Sequence, residues 1–165
     1  MRVLLLALAL VAAAPASAAD LVESAPKPVT ITVQDRDGRD LTPTALGGRL
    51  TLVHFWASWC GTCRVEFPAI DALQRDMRGE GVRVAAVSLD RLGWPAIDRT
   101  VDALEIREVT LLHDRNREAA QALAVPGLPT TLVLDAQGRE VGRIVGAGDW
   151  EDESLRAKLR ALAGK

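Results

Sequence analysis

The stretch LTLVHFWASWCGTCRVEFP, residues 50–68, decides how this chain is read. Leu50 to Ala57 is apolar on both faces apart from Thr51 and His54. A strand covered on both sides in the centre of an α/β sheet has that pattern. A helix is expected from Cys60 to about Arg78, with Pro68 in its interior removing one backbone donor. Gly79 and Gly81 end it. The pair Cys60 and Cys63 therefore falls where a buried strand passes into a helix.

Working outward, Val82 to Leu89 reads as the next buried strand and Trp94 to Leu104 as a helix with Pro95 in its first turn. Val109 to Leu112 is a short strand, and Arg115 to Leu123 is helical. Thr130 to Leu134 and Glu140 to Val145 flank Asp135-Ala136-Gln137-Gly138 as an antiparallel hairpin. A last helix follows, capped by Asp149 and carrying Glu151, Asp152 and Glu153 at its positive end. On the N-terminal side, Val29 to Gln34 alternates as a strand and Arg36-Asp37-Gly38-Arg39 turns it back. Thr42 to Leu46 forms a helical turn ending at Gly47-Gly48. Residues 20–28 hold two prolines and little periodicity, and read as a linker into a domain spanning 29–165. Strands alternating with helices, closed by a hairpin and helix, predict a central mixed β-sheet flanked by helices.

Residues 1–19 have the form of a signal peptide. Arg2 is followed by an unbroken apolar run from Val3 to Ala14, then Pro15 and the small residues Ala16-Ser17-Ala18-Ala19. Cleavage after Ala18 or Ala19 fits the small-residue rule. An uncleaved anchor is the competing reading, although the run falls short of the ~20 residues that span a bilayer. Removal of residues 1–19 takes away Arg2 alone, moving the net charge from −2 to −3. A protein that is periplasmic or otherwise exported, and soluble once the signal peptide is removed, is expected. With 4% aromatics, no tyrosine and interspersed charges, nothing favours nucleic acid as a partner.

Export shapes the reading of the two cysteines. A structural disulfide stabilises chiefly by closing a long loop, and a pair three residues apart closes almost none. A C-x-x-C disulfide is better suited to being opened and closed. Exchange needs one acidified thiol and a second thiol close enough to resolve the mixed disulfide. Cys60, at the helix N-terminus, meets orphan N–H groups that favour a thiolate, and is expected to be the nucleophile. Cys63, a turn further in, is the resolving thiol. Metal ligation competes with this. Zinc lacks two further ligands, since His54 and His113 are not paired at any ligand spacing. Two thiolates and an imidazole suit Cu(I), so a copper-handling role stays open. No cofactor beyond the Cys60–Cys63 couple is expected, and no resident metal.

Phe55-Trp56-Ala57-Ser58-Trp59-Cys60-Gly61-Thr62-Cys63-Arg64, followed by Glu66-Phe67-Pro68, resembles the active-site segment of thioredoxin-like proteins, most closely the TlpA/ResA/CcmG branch of exported disulfide reductases. The likeness continues through Gly127-Leu128-Pro129-Thr130-Thr131 and Leu134-Asp135-Ala136-Gln137-Gly138 to Gly146, covering about residues 28–165. It implies a thioredoxin fold with an extra N-terminal β-hairpin. It places Pro129 at the family's cis-proline beside the dithiol, with Leu128 offering its backbone to a docked partner chain. It makes Trp59, with Gly61 and Thr62, part of the substrate rim, against a core position for the tryptophan. Glu66 matches the family's acidic position beneath the dithiol. His54 aligns with the buried acid of ordinary thioredoxin, where a proton acceptor would help deprotonate Cys63. A satisfied core histidine is the alternative there. Thr62 replaces the proline often found before the second cysteine, which leaves the direction of electron transfer open.

The expectation is a monomeric reductase of specific protein disulfides, by analogy those of apocytochromes c or copper-site proteins, charged by a membrane electron donor. An oxidase or isomerase would use the same site. A peroxidase fits less well, because Ala57 stands where such enzymes carry threonine three residues before the cysteine.

Overall fold

The computed structural model describes residues 18–164, so the signal-peptide reading falls largely outside the described residues. The strands are β1 (Val22–Pro28), β2 (Val33–Gln34), β3 (Asp40–Leu41), β4 (Leu50–Trp56), β5 (Val82–Ser88), β6 (Thr110–His113), β7 (Thr130–Asp135) and β8 (Arg139–Val145). The helices are α1 (Gly61–Met77), α2 (Trp94–Ala103), α3 (Glu118–Ala122) and α4 (Glu153–Ala163). The described strands form one eight-stranded sheet in the order β1-β8-β7-β4-β5-β6-β2-β3. β4, β5 and β6 run parallel, while β7 is antiparallel to β4. The expected mixed sheet is present, and β2 with β3 forms the extra N-terminal hairpin, attached to β6.

Every residue of β4 is buried, as its continuous apolar run requires. Alternate positions feed two cores. Leu50, Leu52 and Trp56 join Phe67, Ile70 and Leu73 of α1 and Leu155 and Leu159 of α4. Val53 and Phe55 join Val87, Leu132, Ala119 and Ala120 on the opposite face. The helix α1 runs continuously across Pro68.

Three expectations need correction. Residues 20–28 are not a linker: Val22–Pro28 pairs antiparallel with β8, with a register shift between Glu23 and Lys27. An edge strand exposed on both faces needs no apolar alternation, and its free side tolerates Pro26 and Pro28. Of Val29–Gln34 only Val33 and Gln34 pair, although Ile31 and Val33 are buried as the alternation required. The final helix is capped by Asp152, whose carboxylate accepts from Ser154 N, while Asp149 closes the turn before it.

Candidate active site

The end of β4 delivers the dithiol to the start of α1. Cys60 is the N-cap of α1 and is disulfide-bonded to Cys63, with Cα atoms 5.3 Å apart. The backbone N–H of Cys63 donates to Cys60 Sγ at 3.2 Å, so a helix-terminal donor already faces the sulfur that would carry charge. Exposure separates the two sulfur-bearing residues: Cys60 is 8% exposed and Cys63 0%. A partner reaches Cys60 first.

The loop before Cys60 is pinned by a residue that the sequence reading missed. Asp90, buried beyond the end of β5, accepts from Ser58 N at 2.8 Å and from the hydroxyls of Ser58 and Ser88 at 2.5 and 2.7 Å. His113 Nε2 meets the Asp90 carbonyl at 2.8 Å, which gives this histidine a structural role. The available signal was position, since ligand sites of open α/β sheets gather at the carboxyl ends of their strands.

The Leu128–Pro129 peptide bond is cis. Pro129 is buried, and its carbonyl accepts from Gly146 N at 2.9 Å. An open groove of about 480 Å³ runs beside the dithiol, lined by Trp59, Cys60, Leu89, Arg117, Val125 and Leu128 among others. Trp59 is 62% exposed and so is not a core tryptophan. Gly61 and Thr62 are exposed on the first turn of α1, at the mouth of the site rather than along the groove.

Beneath the dithiol lies a buried polar nest. Glu66, one turn beyond Cys63 on α1, accepts from Trp150 Nε1 at 2.8 Å and Gly148 N at 2.9 Å, both through Oε2. His54 is fully buried, and its Nδ1 meets Thr131 Oγ1, its cross-strand neighbour on β7, at 2.9 Å. The remaining atoms, Glu66 Oε1 and His54 Nε2, face each other at 3.8 Å, and neither has a hydrogen-bond partner. Burial disfavours charge on both groups. It pushes the Glu66 carboxyl up to about 7, against the two donors that favour its anion. It drives His54 down to about 3, which keeps the imidazole neutral. Trp150 and Gly148 carried no signal toward Glu66 in the sequence beyond the need of a buried indole N–H for an acceptor. Among the described residues, no group of three or more His, Cys, Asp and Glu side chains gathers as a metal-holding cluster. No helix among them is long and apolar enough to cross a membrane.

Comparison with known proteins places this geometry. Residues 17–159 match the Redoxin family. A thiol:disulfide interchange protein DsbE of Pseudomonas fluorescens is 34% identical over 128 residues, covering 75% of this chain and 68% of that one. The thiol-disulfide oxidoreductase ResA of Oceanobacillus iheyensis is 31% identical over 100 residues, covering 61% of this chain; the match spans about half, 50%, of the relative's length. In fold, a crystal structure assigned to a DsbE of Chlorobium tepidum superposes with a TM-score of 0.71 at 24% identity, covering 90% of this chain and 99% of that one. StoA of Bacillus subtilis superposes with a TM-score of 0.63 at 19% identity, covering 82% and 96%. With a strand-to-helix dithiol, a cis-proline beside it and these relatives, the chain belongs to the Redoxin family, among its ResA- and DsbE-type thiol-disulfide oxidoreductases.

Proposed function

We propose that this chain is an exported reductase of protein disulfides, working through Cys60 and Cys63. The observation that carries the reading is the asymmetry of the pair: Cys60 borders an open groove, whereas Cys63 is fully buried behind it. A donor dithiol first reduces the Cys60–Cys63 disulfide, itself becoming a disulfide. The Cys60 thiolate then attacks one sulfur of the partner's disulfide, forming a Cys60–partner bond and releasing the other sulfur as a thiolate. Cys63, deprotonated, attacks Cys60 Sγ, re-forms the internal disulfide and releases the second partner thiolate. Two electrons pass to the partner, whose thiolates take protons from water. Glu66, held near 7 one turn beyond Cys63, is suited to receive the Cys63 proton as that thiol becomes a nucleophile. Leu128, ahead of the cis bond, offers backbone to an extended partner segment in the groove.

The surroundings of the sulfurs support the reducing direction. A strong oxidant needs a stabilised dithiol form. Here the residues between the cysteines are Gly61 and Thr62, which add no charge, and Glu66, a buried acid one turn along α1, opposes a second negative charge on Cys63. The helix-terminal N–H of Cys63 favours the thiolate, and among the described residues no charged side chain is hydrogen-bonded to either sulfur, which supports a comparatively stable disulfide and a reduced protein that donates electrons readily. The apolar leader of residues 1–19 supports export, and the names of the ResA and DsbE relatives support protein disulfides as substrates. Disulfides of apocytochromes c or of copper-site proteins, and a membrane donor, complete the reading by family resemblance.

The test is a trap. Cys63→Ser, reduced and mixed with a disulfide-bonded protein such as insulin, should accumulate a covalent adduct through Cys60 that dithiothreitol releases. Absence of an adduct, or an equal yield from Cys60→Ser through Cys63, contradicts the assignment.

A further inference from the structure

Several arginines of this fold are tied to carboxylates, as Arg36 is to Asp98, Arg78 to Glu108, Arg143 to Glu140 and Arg160 to Glu80. Three that line a single hollow are not, and one of them, Arg117, also borders the groove at Cys60. Arg91 follows β5, while Arg115 and Arg117 lie on the turn between β6 and α3. Together with Asn116 they line one open hollow of about 370 Å³. Among the described residues none of the three forms an ion pair. The nearby acids have other partners: Asp35 and Asp37 pair with Arg39, Glu118 accepts from Asn116 Nδ2 at 3.3 Å, and buried Asp114 accepts from Ala120 N at 2.9 Å.

Arg117 joins this hollow to the exchange site. It lines the groove alongside Cys60 as well as the basic hollow. Its guanidinium carbon lies 5.8 Å from the centre of the Trp59 ring, a cation–π contact that holds it against the rim. Its Nε is buried without a hydrogen-bond partner, and its backbone φ is +61°, the left-handed region. Beside Arg91, Leu92 is 81% exposed. A chain of net charge −2 thus presents a concentration of unpaired positive charge next to its reactive sulfur.

Guanidinium groups recognise carboxylates through paired, planar hydrogen bonds, and unpaired ones gain most from a carboxylate brought to them. Arg117 lines both the hollow and the groove, so a polypeptide seated in the groove beside Cys60 can extend into the hollow. We propose that Arg91, Arg115 and Arg117 form a docking shelf for an acidic stretch of the partner protein, a few residues from the cysteine that exchanges with Cys60. This rests on the disulfide-exchange reading above.

The test uses three synthetic peptides with the same internal disulfide, flanked by aspartate and glutamate, by serine and glycine, or by lysine. Reduced full-length mature protein is mixed with each, and second-order rates are read at low and high salt. The acidic peptide should react about tenfold or more faster than the basic one at low ionic strength, and the ratio should shrink toward one as salt screens the shelf. The double variant Arg91→Glu/Arg115→Glu should invert the ranking. A control, Arg75→Glu/Arg99→Glu, changes the net charge equally on exposed helix positions outside the hollow and should keep it. Because each protein is judged by the ratio of its own rates, a partly unfolded variant still reports. Equal acidic and basic rates for the unaltered protein, or a ranking that survives Arg91→Glu/Arg115→Glu, overturns the shelf. If the protein reduces none of the peptides, the exchange reading falls, and the shelf with it.

Discussion

The two faces of the central sheet are filled by different chemistry, although the same strands supply both. On the face toward α3, Val53, Phe55, Val87 and Leu132 pack in an apolar cluster that asks only for complementary shape. On the face toward α1 and α4, His54 stands between Leu52 and Trp56 in a register that would accept a third apolar residue. It meets Glu66 there, and each keeps one polar atom unpaired in the interior. An unsatisfied buried polar atom costs about 1–3 kcal/mol, and well-packed apolar residues would remove that cost. This pair lies below the dithiol on the side of α1, where Trp56 Nε1 is unpaired as well. One face is built for stability, and on the proposed mechanism the other gives up stability to hold a proton near Cys63.

Substitutions on the two faces should therefore separate stability from exchange. The largest effect is expected from Phe55→Ala on the apolar face. Loss of a fully buried ring should lower unfolding stability by about 3–5 kcal/mol in denaturant titrations, with the potential of the Cys60–Cys63 couple unchanged. A shifted potential would mean that the two faces are not independent.

The next effect is one of pH. On unfolding, His54 rises from about 3 to its ordinary value of 6.5, and Glu66 falls from about 7 to 4.5. The histidine contribution is present above pH 6.5 and lost as pH falls toward 3. The glutamate contribution is present below pH 4.5 and lost as pH rises through 7. Between 4.5 and 6.5 unfolding takes up a proton at one site and releases one at the other, so these contributions cancel. Glu66→Gln should expose the histidine slope, with stability rising by about 1.4 kcal/mol per pH unit across that window. His54→Leu should expose the opposite slope. Matching slopes in both variants would show that the two groups do not titrate as described.

The smallest effect is expected from Thr131→Val, which keeps shape and removes the hydroxyl beside His54 Nδ1. Stability should fall by about 1 kcal/mol, and nitrogen NMR of the imidazole should show a changed tautomer ratio. An unchanged tautomer would assign its control to Glu66 instead.

The buried strand of residues 50–56, the helix bearing the cysteines and the hairpin of residues 130–145 were legible because each carries its own local pattern. Cys60 and Cys63 were legible for the same reason, as was the ordering of their exposure. The edge strand Val22–Pro28 was not, because a strand exposed on both faces leaves no hydrophobic period. The helix α3 begins later than its composition suggests, since Arg117 takes a left-handed conformation just before it. The contacts that tune the site were the least legible. Glu66 meets Trp150 and Gly148 across more than 80 residues, and Asp90 reaches Ser58 across 32. Such pairs are fixed by the fold and not by any spacing along the chain.

The most direct test of the account is the reduction potential of the Cys60–Cys63 couple, measured on residues 20–165 in glutathione redox buffers. The account predicts a value near thioredoxin's, about −270 mV, as expected where a helix-terminal N–H, and no hydrogen-bonded cation, meets the thiolate. A value near −120 mV, as in a protein whose dithiol form is stabilised, would contradict it and make the protein a donor of disulfides.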